Sequence, residues 1–296
     1  MTDWGRIRHS AAQSGEGTRD CAAVVVVPYF ALFVPASRPD RYAKAVASGA
    51  SAIVIDLEDS VAPDAKEIAR SQLQHGITSI RAVGVDVYIR INAAGTQWHC
   101  NDLEIIETLP IQGVMLPKCQ RIEDIEAVRR HLGRAQQVIA LIETPLGVAC
   151  ARPIAMVAER LAFGSLDYSI SIGASHSRQA LMAARSELVL AAAIAGKPGP
   201  IDGITVNTSD CEQVLEDARF GASLGMGGKL LIHPHQLAPA KRGFRPTETD
   251  LERARRTLSA SVSGAAAIDG MMVDAPVLAW AKRVVAMAQF LDGGSE

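Results

Sequence analysis

The sequence predicts an α/β fold, a closed (β/α)8 TIM barrel with a C-terminal helical extension. Three observations carry that expectation. Eight apolar runs of strand length recur along the chain, alternating with segments of helical spacing. The runs are continuous rather than alternately polar, as parallel strands buried on both faces require. Eight β/α units in about 220 residues fit a closed barrel better than a six-stranded open sheet. An open doubly wound sheet would also place a glycine-rich phosphate loop after its first strand, and "FVPASRPDR" is not one.

The first run, "ALFVP" (31–35), precedes 38–49, where Ala43, Val46, Ala47 and Ala50 recur at i, i+3, i+4 and i+7. "AIVIDLE" (52–58) precedes a helix opened by Pro63, with Ala65, Ile68, Ala69 and Leu73 on one face. "VYIRIN" (87–92) precedes the helical stretch 101–108. "GVMLPK" (113–118) leads to Ile122, Ile125, Val128 and Leu132, a helix closed by Gly133. "QVIALIET" (137–144) precedes 148–158, and "LAFGSLD" (161–167) precedes a long helix around 177–195. "IDGITVN" (201–207) precedes a helix carrying Val214, Ala218 and Ala222, closed near Gly225. "GKLLIHP" (228–234) is the last run. Beyond it, Thr247 with Asp250 reads as a capping box opening a helix with Leu251, Ala254, Leu258 and Val262. A loop at 267–276 then leads to a helix with Val277, Ala281, Val284, Val285 and Ala288.

At 296 residues and 48% hydrophobic, the chain can bury a sizeable core. A formal net charge of −2 with no sustained basic run offers no footing for nucleic acid or an anionic membrane. No apolar stretch reaches the roughly 18 residues that a membrane span needs. Residues 1–21 are polar, with Asp3, Glu16 and Asp20 among the arginines, and read as a flexible extension rather than a signal or transit peptide. The barrel is expected over 22–246 and the helical extension over 247–296. The 5 cysteines make no C-x-x-C pair, which fits a reduced, cytoplasmic protein.

The runs end on polar groups: Glu58 and Asp59, Arg90 and Asn92, Lys118, Glu143, Asp167, Asn207 and His233. In a barrel these ends meet at the C-terminal face, where active sites lie. Glu143 and Asp167 end neighbouring strands beside small residues, an oxygen-donor pair suited to Mg²⁺ or Mn²⁺ with water. Their other reading is a pair of solvated loop acids. Arg90, inside an apolar strand, needs an anionic ligand or an ion pair with Glu58 or Asp59. Asp56 and Glu58 share a strand face and call for pairing by Arg90 or Lys118. Lys118 also stands where a Schiff-base aldolase lysine would, a reading weakened by the two metal-type acids. His233 and His235 have metal-ligand spacing, but Pro234 between them favours packed or loop histidines. Arg38, Arg41 and Lys44 form a basic cluster that either holds phosphates or is a solvated helix face. Asp274, in "GMMVDAPV", is either a proton-transfer acid in an apolar setting or a helix N-cap.

Taken together, these motifs resemble the citrate lyase β-subunit-like family of the HpcH/HpaI aldolase and CoA-ester lyase superfamily. The matching pieces are "LFVPASRPDRYAKAVASGASAIVIDLEDSVAPDAK", "VYIRINAAG", "VMLPK", "LIETPLG", "LAFGSLDYS", "GKLLIHPHQ" and "IDGMMVDAP", in family order across about residues 30–285. The resemblance implies Mg²⁺ held by Glu143 and Asp167, and Arg90 on the substrate carbonyl oxygens. It also implies an Asp274 supplied by a neighbouring subunit of a trimer or hexamer. Arg38 and Lys44 would contact CoA or a carboxylate. The candidate catalytic set is therefore Arg90, Asp274 and Glu58, with Arg38, Lys44, Arg90 and Glu143 binding substrate. The expected reaction is cleavage of a 3-hydroxyacyl-CoA thioester (citramalyl-, malyl- or citryl-CoA type) to acetyl-CoA and a 2-keto acid. Two rivals stand beside it: a CoA-independent aldolase, and a β-like subunit active only within an acyl-carrier complex. One departure concerns substrate subtype. Many relatives carry a further acid after "FGSLDYS", where this chain has Ser169-Ile170-Ser171-Ile172-Gly173.

Overall fold

The computed structural model describes residues 28–81, 85–262, 267–268 and 271–293. The expected extension at 1–21 lies outside them. Eight parallel strands hydrogen-bond in chain order and close into a barrel, β8 returning to β1. They are β1 (Tyr29–Pro35), β2 (Ala52–Asp56), β3 (Asp86–Arg90), β4 (Gly113–Leu116), β5 (Gln137–Ile142), β6 (Arg160–Phe163), β7 (Ile201–Asp202) and β8 (Gly228–Leu231).

Alternate residues of each strand serve two cores, because successive Cβ atoms point to opposite faces. Ala31, Val54, Tyr88, Met115, Leu141, Ala162 and Leu230 fill the barrel interior. Ile53, Ile55, Ile89, Val114, Val138 and Ala140 face the surrounding helices. Between β1 and β6 run α1 (Tyr42–Val46), α2 (Lys66–Arg81), α3 (His99–Ile106), α4 (Ile122–Arg129), α5 (Pro145–Ala149) and α6 (Ala151–Val157). The ring closes with α7 (Ser165–Ser171), α8 (Met182–Ile194), α9 (Cys211–Leu224) and α10 (Leu237–Phe244). Gly225, at φ +96°, ends α9 in the left-handed conformation that favours glycine.

Several strands are shorter than their apolar runs. β2 stops at Asp56 and β6 at Phe163, while Leu57, Ile91 and Glu143 beyond the strand ends remain buried and prolong the apolar pattern. Asp167 accordingly lies in the first turn of α7, not at the end of β6. The helix expected from 177 begins at Met182.

After the barrel, Thr247 Oγ1 accepts the backbone N–H of Asp250 at 3.1 Å and caps α11 (Glu248–Val262). A short hairpin of β9 (Ala267–Ile268) and β10 (Met271–Met272) stands in the expected loop and leads to α12 (Ala275–Gly293). Leu251, Ala254, Ala281, Val284 and Ala288 bury one another in a small separate core between α11 and α12. Among the described residues no helix is long and apolar enough to cross a membrane.

Candidate active site

Counting by two along the strands leads into the site. Val54, Tyr88 and Leu141 point into the barrel, so Asp56, Arg90 and Glu143 follow with the same parity at its C-terminal mouth. Asp56 and Arg90 are Cα partners in the parallel register of β2 and β3. Arg90 Nε donates to Asp56 Oδ1 at 2.7 Å and Nη2 to Oδ2 at 2.6 Å, a two-pronged charge-assisted pair. The same carboxylate accepts the backbone N–H groups of Glu58 (2.9 Å) and Ser60 (3.0 Å), which turns the chain at the strand end. Burial pushes the Asp56 carboxyl up, but the guanidinium more than reverses this and holds it below the usual carboxylate range.

Arg90 Nη1 lies 3.1 Å from Glu58 Oε2 and 3.5 Å from Asp59 Oδ2, and its guanidinium sits 4.8 Å from the Phe33 ring centroid. Burial works against its charge; Asp56, Glu58 and Asp59 outweigh it and raise its pKa. The ion-pair reading of Arg90 is thus realised, with Asp56 as its main partner and Glu58 and Asp59 as lesser ones. Lys66, buried beside Trp98, donates to the carbonyls of Leu57 and Glu58 at 2.7 Å each and fixes this corner. Burial raises the pKa of Glu58 despite the two cations that face it.

Lys118 joins the two halves of the site. It is the one non-glycine residue with positive φ (+50°) among the described residues. In that conformation its backbone N–H donates to Glu143 Oε1 at 2.8 Å. Its ammonium lies 2.7 Å from Glu58 Oε1, 3.3 Å from Asp167 Oδ2 and 3.8 Å from Glu143 Oε1. Burial lowers the Lys118 pKa less than Glu58 and the other acids raise it. The neighbouring strand leaves room for Glu143 only because residue 164 is glycine. A Cβ there would stand 2.3 Å from Glu143 Oε2 and 2.4 Å from Glu143 Cβ. Burial first, then the Glu58 charge, pushes the Glu143 carboxyl up to about 8.

Asp56, Arg90, Glu143, Gly164, Ser165 and Asp167 line a cavity of about 350 Å³, whose apolar wall includes Phe33, Leu141, Phe163, Leu230 and Ile232. Of the expected residues, the fold therefore brings Arg90, Glu58, Glu143 and Asp167 together. It leaves three apart. Arg38 is exposed and paired with Asp40 (2.9 and 2.7 Å), and Lys44 is exposed on α1. Asp274 is exposed too, its Oδ1 accepting the N–H of Val277 at 3.2 Å to cap α12, as its N-cap reading expects. Burial, then the charges of His235, Lys44 and Arg41, lower the His233 pKa. His233 caps a single 3-10 turn, Pro234–Gln236, its Nδ1 accepting the N–H of His235 at 3.2 Å, and the two rings stand edge to face at 4.6 Å.

The pairing expected for Asp56 and Glu58 by Arg90 or Lys118 is formed, with Asp56 taking the two-pronged bond from Arg90 and Glu58 meeting both cations. Sequence reasoning missed the role of Ser165, a cavity-lining hydroxyl 2.9 Å from His176 Nε2. A lone histidine in a polar loop carries no signal of such a contact.

A (β/α)8 barrel with paired acids and buried cations at its C-terminal mouth has the layout of an enzyme. The chain belongs to the HpcH/HpaI aldolase/citrate lyase family, whose model matches residues 29–234. It is 36% identical over 269 residues to a citrate lyase subunit beta-like protein of Mycobacterium tuberculosis (strain CDC 1551 / Oshkosh), covering 87% of this chain and 94% of that one. It is 31% identical over 300 residues to an L-malyl-CoA/beta-methylmalyl-CoA lyase of Cereibacter sphaeroides, covering 88% and 94%. In structure it is similar to protein CitE from Mycobacterium tuberculosis in complex with magnesium, acetoacetate and coenzyme A. That match has a TM-score of 0.76 and 33% identity, covering 90% of this chain and 99% of that one.

Proposed function

We propose that this lyase-family chain cleaves a 3-hydroxyacyl-CoA thioester of citramalyl-, malyl- or citryl-CoA type to acetyl-CoA and a 2-keto acid, with Mg²⁺ at Glu143 and Asp167. The observation that carries the reading is the acid excess at the cavity. Among the described residues five carboxylates (Asp56, Glu58, Asp59, Glu143 and Asp167) face three cations, Arg90 and Lys118 in ion pairs and Lys66 close behind Asp56, Glu58 and Asp59. A divalent cation would offset that excess, and hard carboxylate oxygens suit Mg²⁺ or Mn²⁺. Gly164 keeps clear the space that the Glu143 carboxylate occupies. Among the described residues no group of three or more His, Cys, Asp or Glu is arranged to hold a metal, so the two acids would share it with water and substrate oxygens. Bound there, the ion would polarise the substrate's hydroxyl and carboxylate oxygens as a Lewis acid.

The chain's own residues do the rest. Arg90, fixed by Asp56, presents a charge that cannot be lost to stabilise the thioester enolate as the C–C bond breaks. Glu58 positions both cations. Asp274 from a neighbouring subunit delivers a proton to the enolate carbon in cleavage and removes one in condensation. Its exposure, with Ile170, Met182, Leu190 and Ile194 exposed on α7 and α8, supports a homo-oligomer, a trimer or hexamer. Arg38 and Lys44 are assigned to CoA or carboxylate contact at the mouth.

A panel of acyl-CoA substrates with Mg²⁺, read by acetyl-CoA release, tests the reaction. Activity on free hydroxy-keto acids alone would move it to the CoA-independent aldolase. Activity only with an acyl-carrier partner would make the chain a β-like subunit. For the shared site, inactive Asp274→Asn and Glu143→Ala chains are mixed under conditions of proven subunit exchange. Restored activity is expected; none would remove Asp274 from a neighbour's site.

A further inference from the structure

Lys118 is held in a conformation that a lysine adopts only at a cost. A positive φ is disfavoured for a residue with a Cβ. What keeps it there is a double grip on the acids: its backbone N–H on Glu143 Oε1 at 2.8 Å, and its ammonium on Glu58 Oε1 at 2.7 Å. The ammonium also stands 3.3 Å from Asp167 Oδ2 and 3.8 Å from Glu143 Oε1, so one positive charge faces both acids of the cation pair. Glu143 is nearly fully buried at 3% exposure, and among the described residues no guanidinium lies within ion-pair distance of it. The Lys118 side chain, by contrast, is 38% exposed, which gives its four-carbon stem a way out.

We infer that the Lys118 ammonium is the internal counter-cation of the Glu143–Asp167 pair, and that a divalent cation binds there only by displacing it toward Glu58. This rests on the cation site of the proposed function. A small divalent cation bonds its oxygens directly and at shorter range than an ammonium can. Two cations sharing the same carboxylate oxygens in a partly desolvated site repel each other strongly. Glu58 supplies the place to withdraw to, because its bond to the ammonium is already the shortest of the three. The backbone bond from Lys118 N to Glu143 is independent of where the ammonium goes, so one residue both orients a ligand and competes for it. Lys118 is in these terms a positioning residue whose side chain sets the affinity for the ion.

Titration calorimetry with Mn²⁺ on the intact, metal-stripped chain tests this. Lys118→Met keeps an unbranched side chain one atom shorter and removes the charge. It should tighten Mn²⁺ binding about tenfold, equivalent to about 1.4 kcal/mol. It should also lower the melting temperature in chelator and enlarge the Mn²⁺-induced rise. A purely structural lysine would lower both melting temperatures and leave the affinity unchanged or weaker, and that result overturns the inference. Lys118→Gly tolerates the positive φ and provides the same comparison where the methionine variant folds poorly. Mn²⁺ binding to the variant but not to wild type supports displacement in its strongest form. Binding to neither overturns both this inference and the cation site. Equal binding to both overturns this inference alone.

Discussion

Arg90 and Arg160 both point into the barrel, one at each end, and their surroundings differ in kind. Arg160 opens β6 at the N-terminal end, where its Nε donates to the carbonyl of Gly199 at 3.0 Å and Nη2 to that of Gly227 at 2.6 Å. Its guanidinium lies 5.1 Å from the Tyr29 ring centroid, and burial lowers its pKa to about 10. Around it Tyr29 Oη donates to Asp86 at 3.0 Å and Tyr88 Oη to Gln137 Oε1 at 2.6 Å. These contacts fill the barrel floor. At the mouth, Arg90 meets three carboxylates and a cavity, and its pKa is raised. Burying a cation therefore does not by itself make a site. A cation satisfied by neutral carbonyls closes a structure, whereas one set among surplus acids beside open volume can act on a substrate.

That contrast breaks most visibly in stability. Arg160→Ala removes a donor from the Gly199 and Gly227 carbonyls, the second of which keeps the Tyr29 N–H at 2.9 Å, and leaves a cavity, which should cost about 3 kcal/mol in denaturant unfolding. Its kcat, per folded enzyme, should stay near wild type; a parallel loss of kcat would mean that the floor contributes to chemistry. Arg90→Lys should act the other way. It keeps a charge but loses the fork on Asp56, and the rate should fall by a factor on the order of 10², about 2.7 kcal/mol. A near wild-type rate with reduced stability would make Arg90 a second Arg160.

The smallest effect sharpens the comparison through pH. The Glu143 carboxyl, raised from 4.5 to about 8 in the folded chain, binds a proton that the unfolded chain releases earlier. Its stabilising contribution is full below the unfolded value and is lost as pH rises toward about 8. Melting curves in chelator should therefore show this decline, and Glu143→Gln should flatten it. An unchanged slope in the variant would assign the titration to another group.

The eight strands were legible because a parallel strand buried on both faces leaves a continuous apolar run. Their ends were not, because Leu57, Ile91 and Glu143 stay buried after the hydrogen bonding stops. The sixth run likewise extends to residue 167 because α7 starts only one residue after β6, so its first turn, with Asp167, continues the run. Arg90 and Glu143 were recognisable from their places at the ends of apolar runs, whereas Asp167, expected at a strand end, stands in the first turn of α7. The grip of Asp56 on Arg90 depends on cross-strand register, and the place of the Lys118 ammonium on a single backbone angle. Spacing showed that Asp56 needed a cationic partner, but which one it takes, and where the Lys118 ammonium stands, leave no mark in the sequence.

The pairing of Asp56 with Arg90 also fixes where this chain can change length. The two residues meet because β2 and β3 align Ile55 with Ile89 and Asp56 with Arg90. Deleting one residue within either strand would rotate every later side chain to the opposite face and turn one partner of the pair toward the helices. The segments between the strands lie outside this register and are not bound by it. Insertions and deletions compatible with an intact mouth are thus confined to helices and loops, and the strands must keep their residue count.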